Sequence, residues 1–483
     1  MVNPTSMRQF LKQLEEMGEL VTIRKEIESG HEVFGILWEL AERGGPASVI
    51  EHIKGHSVPL VVNLQGTMDR FAMACGFPRG RTPREYKDMF VEALEPSQWV
   101  PPVMVADGPC KEVILKGDDV DLRKLPILQW HPDDGGPYIT LPVVITKDDK
   151  WGHNAAVYRM MVHDRNTTGI MCSAFQDQGV YAGRALSKGK DRMECAVAVG
   201  ASPAVYVSAV TKVPLNESEF AFAGRLQGEP VQLVKCETID LEVPADSEIV
   251  LEGEILLKEQ RTEGPFGEWM GYFEEQMELP IFKVHCITMR RNPYYYTTIE
   301  GPLNGEAEII RMIPQSATFA RAARERVTGF VDAWLPQAGH NYMAVVAIKK
   351  RYPGWGREAV YQTFGIPFVG SSANFVIIVD DDIDPSDMDQ VIWSLSTRVD
   401  PVNDVILTPP VGGYALNPAA SARPARFSTT GSTDIAFCSK IGIDATLKSP
   451  EEGRLRPTAR PVAPREDIIR LVRERWTDYG FKR

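Results

Sequence analysis

The sequence predicts a multidomain protein that combines α/β and α+β architecture. Its 483 residues are too many for one hydrophobic core, so two or three domains are expected. Helix and strand patterns alternate near both ends, whereas short strands rich in Val, Ile and aromatic residues dominate the middle. The expected division is an N-terminal α/β region at 1–110, a strand-rich domain at 111–304, a connecting helix at 305–330 and a C-terminal α/β domain at 331–483.

Composition excludes several classes of protein. Lys and Arg total 53 against 65 Asp and Glu, a net charge of −12, which argues against nucleic acid or an anionic membrane as partner. No apolar run approaches the roughly 18 residues of a membrane helix, and the charged N-terminal segment does not resemble a signal peptide. The seven cysteines form no CxxC pair, so neither a disulfide framework nor a cysteine-rich zinc site is expected. We therefore expect a cytoplasmic protein that acts on small molecules.

The N-terminal region should contain two helices followed by short strands. Ser6 is expected to cap a helix whose apolar residues recur with a period of 3.6 residues, and a second helix should run from 31 to 43 and end at Gly44. The expected strands are 48–51 and 58–63.

The middle of the chain predicts a barrel or a sandwich, because turn residues separate its strands at fairly regular intervals. The expected strands are 141–146, 155–163, 196–199, 205–211, 231–235, 249–256 and 282–289.

The last third should alternate buried strands with helices. After a connecting helix over 305–327, the expected elements are strands at 343–350 and 374–379 and helices at 387–399 and 466–476. The acidic run 380–382 is interpreted as a solvated strand-to-helix turn rather than a metal cluster, with Asp384 as helix cap and Pro385 as the first helical residue.

The first segment that can carry chemistry is 153–159. Within one regular strand, Asn154 and Arg159 would face opposite sides unless a bulge intervenes. An arginine followed by apolar residues in a strand needs an anionic partner to offset its desolvation. A structural ion pair at the mouth of a barrel and an anion-binding arginine both fit this pattern.

The second segment is 261–269, which places Glu263 and Glu268 in one loop containing Gly264, Pro265 and Gly267. Crowded carboxylates resist joint ionisation, so one of them can keep a proton near neutral pH and act as a general acid. An acidic surface turn would give the same pattern.

The third segment is 216–224, where Glu219 precedes small and aromatic residues at a helix start. Glu219 can be an inward-facing oxygen ligand for a hard cation, with Asn154 and an acid near position 177 completing the shell. The alternative is a glutamate placed in the first helical turn by the helix dipole.

Together these segments resemble the UbiD family, the prenylated-FMN-dependent reversible decarboxylases. The motifs occur in the same order over almost the whole chain: NAAVYR at 154–159, ESEFAFAGRLQGEPVQLVKCETIDLEVPADSEIVLEG at 217–253, EGPFGEWMGYF at 263–273, FVIIVDDDIDPSDMDQVIWSLSTRVDP at 375–401 and SKIGIDAT at 439–446. The resemblance implies an N-terminal α/β region, a split β-barrel that binds prenylated FMN, a connecting helix and a C-terminal α/β domain that mediates oligomers.

The resemblance also implies roles for individual residues. Glu268 stands where the family has its proton donor, and Glu263 and Arg159 stand where it orients that donor and binds the substrate carboxylate. Asn154 and Glu219 match metal ligands, while the third ligand is either Asp177 or Gln176, where many members have Gln-His. Lys440 matches the lysine that reaches the flavin phosphate. The flavin-binding positions implied are Asn154, Ala155, Ala156, Val157, Tyr158, Arg159, Gln176, Asp177, Glu219 and Lys440.

The activity implied is reversible, non-oxidative decarboxylation of an aromatic, heteroaromatic or α,β-unsaturated acid through a covalent adduct with prenylated FMN. Loss of CO₂ leaves a carbanion equivalent that no side chain can delocalise, so a cofactor is needed. The implied ions are Mn²⁺ or Mg²⁺, with K⁺ as a further candidate, and the implied partners are CO₂, a second copy of the chain and a separate flavin prenyltransferase.

Two other functions remain open from the residues alone: a metal-only decarboxylase or hydrolase without flavin, and a non-catalytic flavin-binding subunit. The identity of the acid is not encoded in a recognisable motif. The segment 294–304 is expected to border the substrate pocket, although its tyrosines fit strand packing equally well. Met312, Phe330 and Phe427 are further candidates for the pocket.

Overall fold

The computed structural model describes residues 3–172, 176–367, 372–414, 416–423, 435–452, 462 and 464–481. Phe427 lies outside them. No helix in these ranges is long and apolar enough to cross a membrane, and all seven cysteines are free thiols.

The N-terminal region is a small sheet covered by helices. Ser6 caps the first helix as expected, because its side chain accepts a hydrogen bond from the backbone of Gln9. The second helix ends at Gly44, whose left-handed backbone (φ 59°) suits glycine. The elements are α1 (Met7–Glu16), β1 (Leu20–Ile23), α2 (Gly30–Arg43), β2 (Ala47–Ile50), β3 (Leu60–Val62), α3 (Met68–Ala74) and α4 (Pro83–Ala93).

Over its described residues, the middle domain is built around one antiparallel sheet of nine strands, accompanied by a three-stranded sheet, a two-stranded hairpin and helices. Its strands are β4 (Val103–Met104), β5 (Val113–Lys116), β6 (Tyr138–Ile139), β7 (Val143–Asp148), β8 (Gly152–Val157), β9 (Met160–Asp164), β10 (Thr167–Gly169), β11 (Arg192–Val199), β12 (Gln232–Lys235), β13 (Glu242–Pro244), β14 (Ile249–Glu263), β15 (Phe266–Gly267), β16 (Phe273–Glu274), β17 (Met277–Met289) and β18 (Tyr295–Tyr296). Its helices are α5 (Asp177–Ser187), α6 (Pro203–Ala209) and α7 (Glu219–Gln227).

The strand order shows how this sheet closes. The order is β6-β9-β10-β17-β14-β11-β7-β8, with β5 added on β17. β8 and β9 therefore lie far apart in the order, although only Tyr158 and Arg159 separate them in the chain. Because so short a link spans at most roughly 10 Å, the end of β8 must lie close to the start of β9. The sheet therefore curls round on itself, although no backbone hydrogen bonds pair the described residues of these two strands. We call this gap the seam; it makes the domain a split barrel.

Successive residues of the barrel strands point to two different cores. Val143 and Ile145 pack into a core shared with the N-terminal helices and α7, whereas Val144 packs with Leu251 and Phe282 in a second core. This alternation follows from the two-residue period of a strand.

A long helix, α8 (Glu306–Arg326), leads to the C-terminal domain. There the five-stranded sheet has the order β19-β20-β21-β26-β22, and β20, β21 and β26 are parallel. The remaining elements are β19 (Phe330–Trp334), β20 (Met343–Ile348), α9 (Trp355–Phe364), β21 (Phe375–Asp380), α10 (Met388–Arg398), β22 (Val405–Leu407), β23 (Val411–Gly412), β24 (Ser421–Arg423), β25 (Ile435–Cys438), β26 (Ile441–Asp444) and α11 (Glu466–Glu474).

Several expected elements were wrong. The segment 205–211 is not a strand but lies largely in α6, whose seven residues are all buried, so no amphipathic helical pattern was visible. The segment 155–163 is two strands with the seam between them. Asp387, not Asp384, caps α10, since its carboxylate accepts hydrogen bonds from the backbone of Asp389 and Gln390.

The acidic run 380–382 is partly solvated and pairs with an arginine. Arg398 pairs with Asp380 at 2.8 Å and with Asp382 at 2.7 Å. These ion pairs connect the end of α10 to the end of β21 and the turn that follows it. Tyr295 and Tyr296 pair with β3 at the edge of the N-terminal sheet and are buried, which supports strand packing for these two aromatic side chains.

Candidate active site

Arg159 lies at the seam of the barrel, where it is 9% exposed and faces three carboxylates. Its Nε donates to Glu263 Oε1 at 3.2 Å, its Nη1 pairs with Glu268 Oε1, and its Nη2 lies 2.5 Å from Glu274 Oε2. The guanidinium also lies 5.1 Å from the centre of the Phe266 ring. The structure thus brings together the three residues predicted to be catalytic and adds a fourth, Glu274.

The three glutamates are carried by one strand and the hairpin that follows it. Glu263 is the last residue of β14, so the expectation that it lies in a loop was wrong. The apolar part of β14 ends early, but pairing with β17 continues through its exposed polar residues as far as Glu263. Glu268 lies in the turn between β15 and β16, and Glu274 ends β16.

The segment before β6 fixes this hairpin. The Asp134 carboxylate accepts hydrogen bonds from the backbone of His131 at 2.8 Å and of Gly267 at 3.1 Å. The backbone of Gly135 donates to Pro265 at 2.7 Å, and a Cβ at Gly135 would overlap the carbonyl of Gly264. Close backbone approach therefore holds Glu268 beside Arg159.

Burial and mutual repulsion alter how these groups titrate. Burial raises the pKa of Glu263, although Arg159 opposes the shift. Burial, together with the negative charges of Glu268 and Glu263, raises the pKa of Glu274 to about 7 against the pull of Arg159. For Arg159 itself burial lowers the pKa, but the charges of Glu268, Glu274 and Glu263 outweigh it and raise the pKa overall. Glu274 therefore exchanges a proton near neutral pH.

Glu219 lies against the backbone of the residue that follows Asn154. Ala155 donates its backbone N–H to Glu219 Oε2 at 3.2 Å, and the Asn154 side chain contacts the Tyr158 hydroxyl. Glu219 is the first residue of α7 and is 7% exposed. Burial raises its pKa to about 8, and the nearby charge of Asp177 acts in the same direction.

These side chains fit a hard cation in part. Asn154 Nδ2 is buried and lacks a hydrogen-bond partner, and the Glu219 carboxylate is buried beside it. A cation bound by the two side-chain oxygens would keep Glu219 ionised. Among the described residues, however, no group of three or more His, Cys, Asp or Glu side chains is placed to hold a metal.

The third ligand stays a prediction. Asp177 is the first residue of α5, and its carboxylate pairs with the Lys212 ammonium. Gln176 occupies the N-cap position of the same helix. Either side chain lies at the helix start that faces the Glu219 region, and the geometry does not choose between them.

The other positions expected to line a flavin lie on strand β8, at the seam that follows it and directly before β26. Ala155 is buried, Ala156 and Val157 are half-buried, and Tyr158 follows at the seam. Lys440 is 3% exposed and donates to the carbonyl of Ala373 at 2.8 Å. Desolvation lowers its pKa, and it has no carboxylate within ion-pair distance among the described residues. A buried ammonium of this kind suits an anion such as a phosphate.

A second charged cluster, which sequence reasoning missed, borders Glu268. The Arg311 side chain from α8 lies 4.5 Å from the centre of the Trp269 ring and pairs with Glu300 at 3.2 Å and Glu308 at 3.0 Å. Trp269 in turn stacks on Tyr342 of the C-terminal domain, with centres 6.2 Å apart. Trp269, the residue next to Glu268, is thus packed between the connecting helix α8 and the C-terminal domain.

The C-terminal domain also reaches the site through Tyr414. Burial, followed by the charge of Glu268, raises the pKa of Tyr414 to about 12. Neither Arg311 nor Tyr414 belongs to a motif singled out in the sequence, and both become recognisable through their positions in space. Met312 is buried in α8, and Phe330 begins β19 beside Arg324.

Family models match three consecutive parts of the chain. They are the N-terminal domain of 3-octaprenyl-4-hydroxybenzoate carboxy-lyase at residues 11–90, its Rift-related domain at 103–303 and its C-terminal domain at 308–445. The chain belongs to the UbiD family. The resemblance stated from the motifs and the predicted multidomain fold with a split barrel are therefore confirmed.

Solved structures of UbiD-class enzymes match almost the full length. HmfF from Pelotomaculum thermopropionicum, in complex with FMN, is 32% identical, with a TM-score of 0.80 over 97% of this chain and 99% of its own. An evolved dimeric form of HmfF contains prFMN and is 30% identical, with a TM-score of 0.78 over 95% of this chain and 97% of its own.

A decarboxylase in a closed form is also similar. Vanillic acid decarboxylase from Sedimentibacter hydroxybenzoicus is 28% identical, with a TM-score of 0.86 over 99% of each chain. An uncharacterized protein from Archaeoglobus fulgidus is 34% identical over 98% of both chains. The fold is thus that of UbiD-class decarboxylases, and the similar enzyme HmfF binds FMN or prFMN.

Proposed function

We propose that this protein is a carboxy-lyase that reversibly decarboxylates an aromatic, heteroaromatic or α,β-unsaturated acid with prenylated FMN. The observation that supports it is the buried Arg159 guanidinium held by Glu263 and Glu268 at the seam of the barrel. A binding protein has no need for so costly an arrangement of buried charge.

Each side chain has a defined task. Arg159 offers a planar fork that matches a carboxylate, so it positions the acid with its carboxyl carbon near the seam. Glu263 holds Nε of Arg159 from β14 and fixes the plane of the guanidinium. Glu268 is the proton donor to the carbon that loses CO₂, since it lies on the turn that faces the C-terminal domain.

When bound, prenylated FMN supplies the electron sink for the bond to CO₂. The strand from Asn154 to Tyr158 would line it, and Lys440 would neutralise its phosphate. Asn154 and Glu219, with Asp177 or Gln176, would hold Mn²⁺ or Mg²⁺ beside that phosphate as a template. We further propose a homodimer or larger homo-oligomer and a separate flavin prenyltransferase as the source of the cofactor.

Glu268→Gln tests the proposed function. The protein is produced together with a flavin prenyltransferase, and CO₂ release is screened over indole, pyrrole, furan, phenolic, phenazine and cinnamic acids. The variant should retain flavin absorbance and lose turnover by roughly 10²-fold or more, because an amide cannot donate a carboxylic proton. Glu275→Gln, at an exposed position beyond the hairpin, should retain activity.

Two results would contradict the proposal. Full turnover by Glu268→Gln with flavin bound would remove the assigned proton donor. Activity in colourless, flavin-free wild-type protein would instead favour metal-only chemistry.

A further inference from the structure

All three nitrogen atoms of the Arg159 guanidinium face carboxylates. Nε faces Glu263, Nη1 faces Glu268, and Nη2 lies 2.5 Å from Glu274. The aromatic ring of Phe266 covers one side of the group. Nε and Nη1 make hydrogen bonds to Glu263 and Glu268, whereas Nη2 makes none among the described residues and lies against Glu274. A further anion that bonds to Nη2 must therefore take the place of Glu274.

The three carboxylates differ in how firmly they are held. The Glu263 side chain is fully buried at the end of a strand of fifteen residues. The Glu268 turn is fixed by Asp134 and by Trp269, which packs under Arg311. Glu274 ends a strand of only two residues, and its side chain is the most exposed of the three at 13%.

We propose that Glu274 occupies, in the free protein, the place on Arg159 that the substrate carboxylate takes, and that it is displaced when the acid binds. This inference rests on the proposed function, in which Arg159 receives that carboxylate. Glu274 is then a positioning residue: it covers Nη2 of Arg159 between turnovers, while Glu263 and Glu268 keep the buried guanidinium paired throughout.

Charge around Glu274 makes the exchange depend on pH. The ionisable groups that face it are Arg159 at the seam, Glu263 on β14, Glu268 on the hairpin turn and Tyr414 of the C-terminal domain. An incoming carboxylate adds a negative charge, so it binds best when Glu274 carries a proton. Since the pKa of Glu274 is about 7, binding above that pH requires proton uptake.

Calorimetric titration with benzoate at pH 6 and pH 8 tests the displacement, in buffers of different ionisation enthalpy. Wild-type holoenzyme should bind benzoate up to about tenfold more weakly at pH 8 and should take up protons there. Glu274→Gln should bind at pH 8 at least as tightly as the wild type does at pH 6, without proton uptake. Glu275→Gln, the exposed neighbour, should behave like the wild type.

The proposal is overturned if Glu274→Gln keeps the wild-type affinity and proton uptake, or if it binds no benzoate while its flavin absorbance and thermal unfolding remain normal. Failure of the proposed function looks different. A wild-type protein that binds benzoate in this pH-dependent way but releases CO₂ from none of the screened acids would leave the displacement standing and refute the decarboxylase assignment.

Discussion

Gly169 on β10 determines how closely Glu263 can approach the neighbouring strand. A Cβ at this position would overlap the Glu263 carboxylate and approach His163. Gly169→Ala should therefore push Glu263 away from Arg159, weaken the fixed plane of the guanidinium and reduce turnover by at least tenfold while flavin still binds. Turnover and flavin absorbance measured on the same preparation check this expectation.

Gly35→Ala is the matched control. Gly35 lies on α2, and a Cβ there would meet no atom within 4 Å. Alanine should stabilise this helix by roughly 0.5–1 kcal/mol and leave turnover unchanged. Unchanged turnover in Gly169→Ala would show that Glu263 has room to move without affecting Arg159.

At the level of single residues, the motifs led to Arg159, Glu263 and Glu268 because their order and spacing match a family pattern. The contribution of Glu274 to the site was not predicted, because Glu274 is adjacent to Glu275. The sequence alone does not show which of the two glutamate side chains is buried. Strand pairing decides this: Glu274 is opposite Phe266, whose ring lies against Arg159.

A buried ion pair joins helix α4 of the N-terminal region to strand β19 of the C-terminal domain. The Lys87 ammonium on α4 is 1% exposed and pairs with Asp332 on β19, which also forms an ion pair with Arg84 at 3.0 Å. Asp332→Ala should lower the free energy of unfolding by about 3 kcal/mol, because it leaves a buried ammonium short of its partner. Urea denaturation of the cofactor-free protein measures the change.

Asp381, in the same domain, provides an exposed ion pair for comparison with the buried one. It pairs with Lys349 at 3.8 Å, both side chains are exposed, and Asp381→Ala should change stability by less than about 1 kcal/mol. Combining Lys87→Met with Asp332→Leu should restore most of the lost stability, since two apolar side chains need no charge partner. Equal unfolding curves for Asp332→Ala and Asp381→Ala would refute the assigned importance of the pair.

At the level of elements, local patterns predicted helices such as α1, α2 and α8 and strands such as β7, β20 and β21, but not α6 or the polar end of β14. Helix α6 is wholly buried and has no polar face, so its sequence lacks the 3.6-residue pattern of a surface helix. The exposed end of β14 has no apolar face, so its sequence lacks the two-residue alternation of a half-buried strand. The seam interrupts a continuous run of strand-forming residues. Pairing between distant strands fixes these features, and a single sequence does not display it.

For the whole molecule, buried carboxyl groups should make the cofactor-free protein more stable at pH 6 than at pH 8. Burial raises the pKa of Glu274 to about 7 and that of Glu300 to about 8, from an ordinary value of 4.5. Between 4.5 and 8 the folded protein therefore binds protons that the unfolded chain has released, so stability falls as pH rises. From these two groups we expect a difference of roughly 4 kcal/mol between pH 6 and 8.

Urea denaturation across this range measures the slope, and Glu300→Gln should reduce it. Asp121 and Asp149, whose pKa values are lowered to about 2 by hydrogen bonds from neighbouring basic side chains, titrate below the range and leave the slope unaffected. A slope of the opposite sign, or one unchanged in Glu300→Gln, would contradict the assignment.

The seam has a consequence for how this protein can diversify. Tyr158 and Arg159 alone connect β8 to β9, and both strands are fixed by ladders to other parts of the sheet. An inserted or deleted residue would therefore shift one strand against its ladder and turn its side chains to the opposite face. New substrate preferences in such a chain should arise by exchange of side chains around the link at constant length, whereas peripheral loops remain free to grow or shrink.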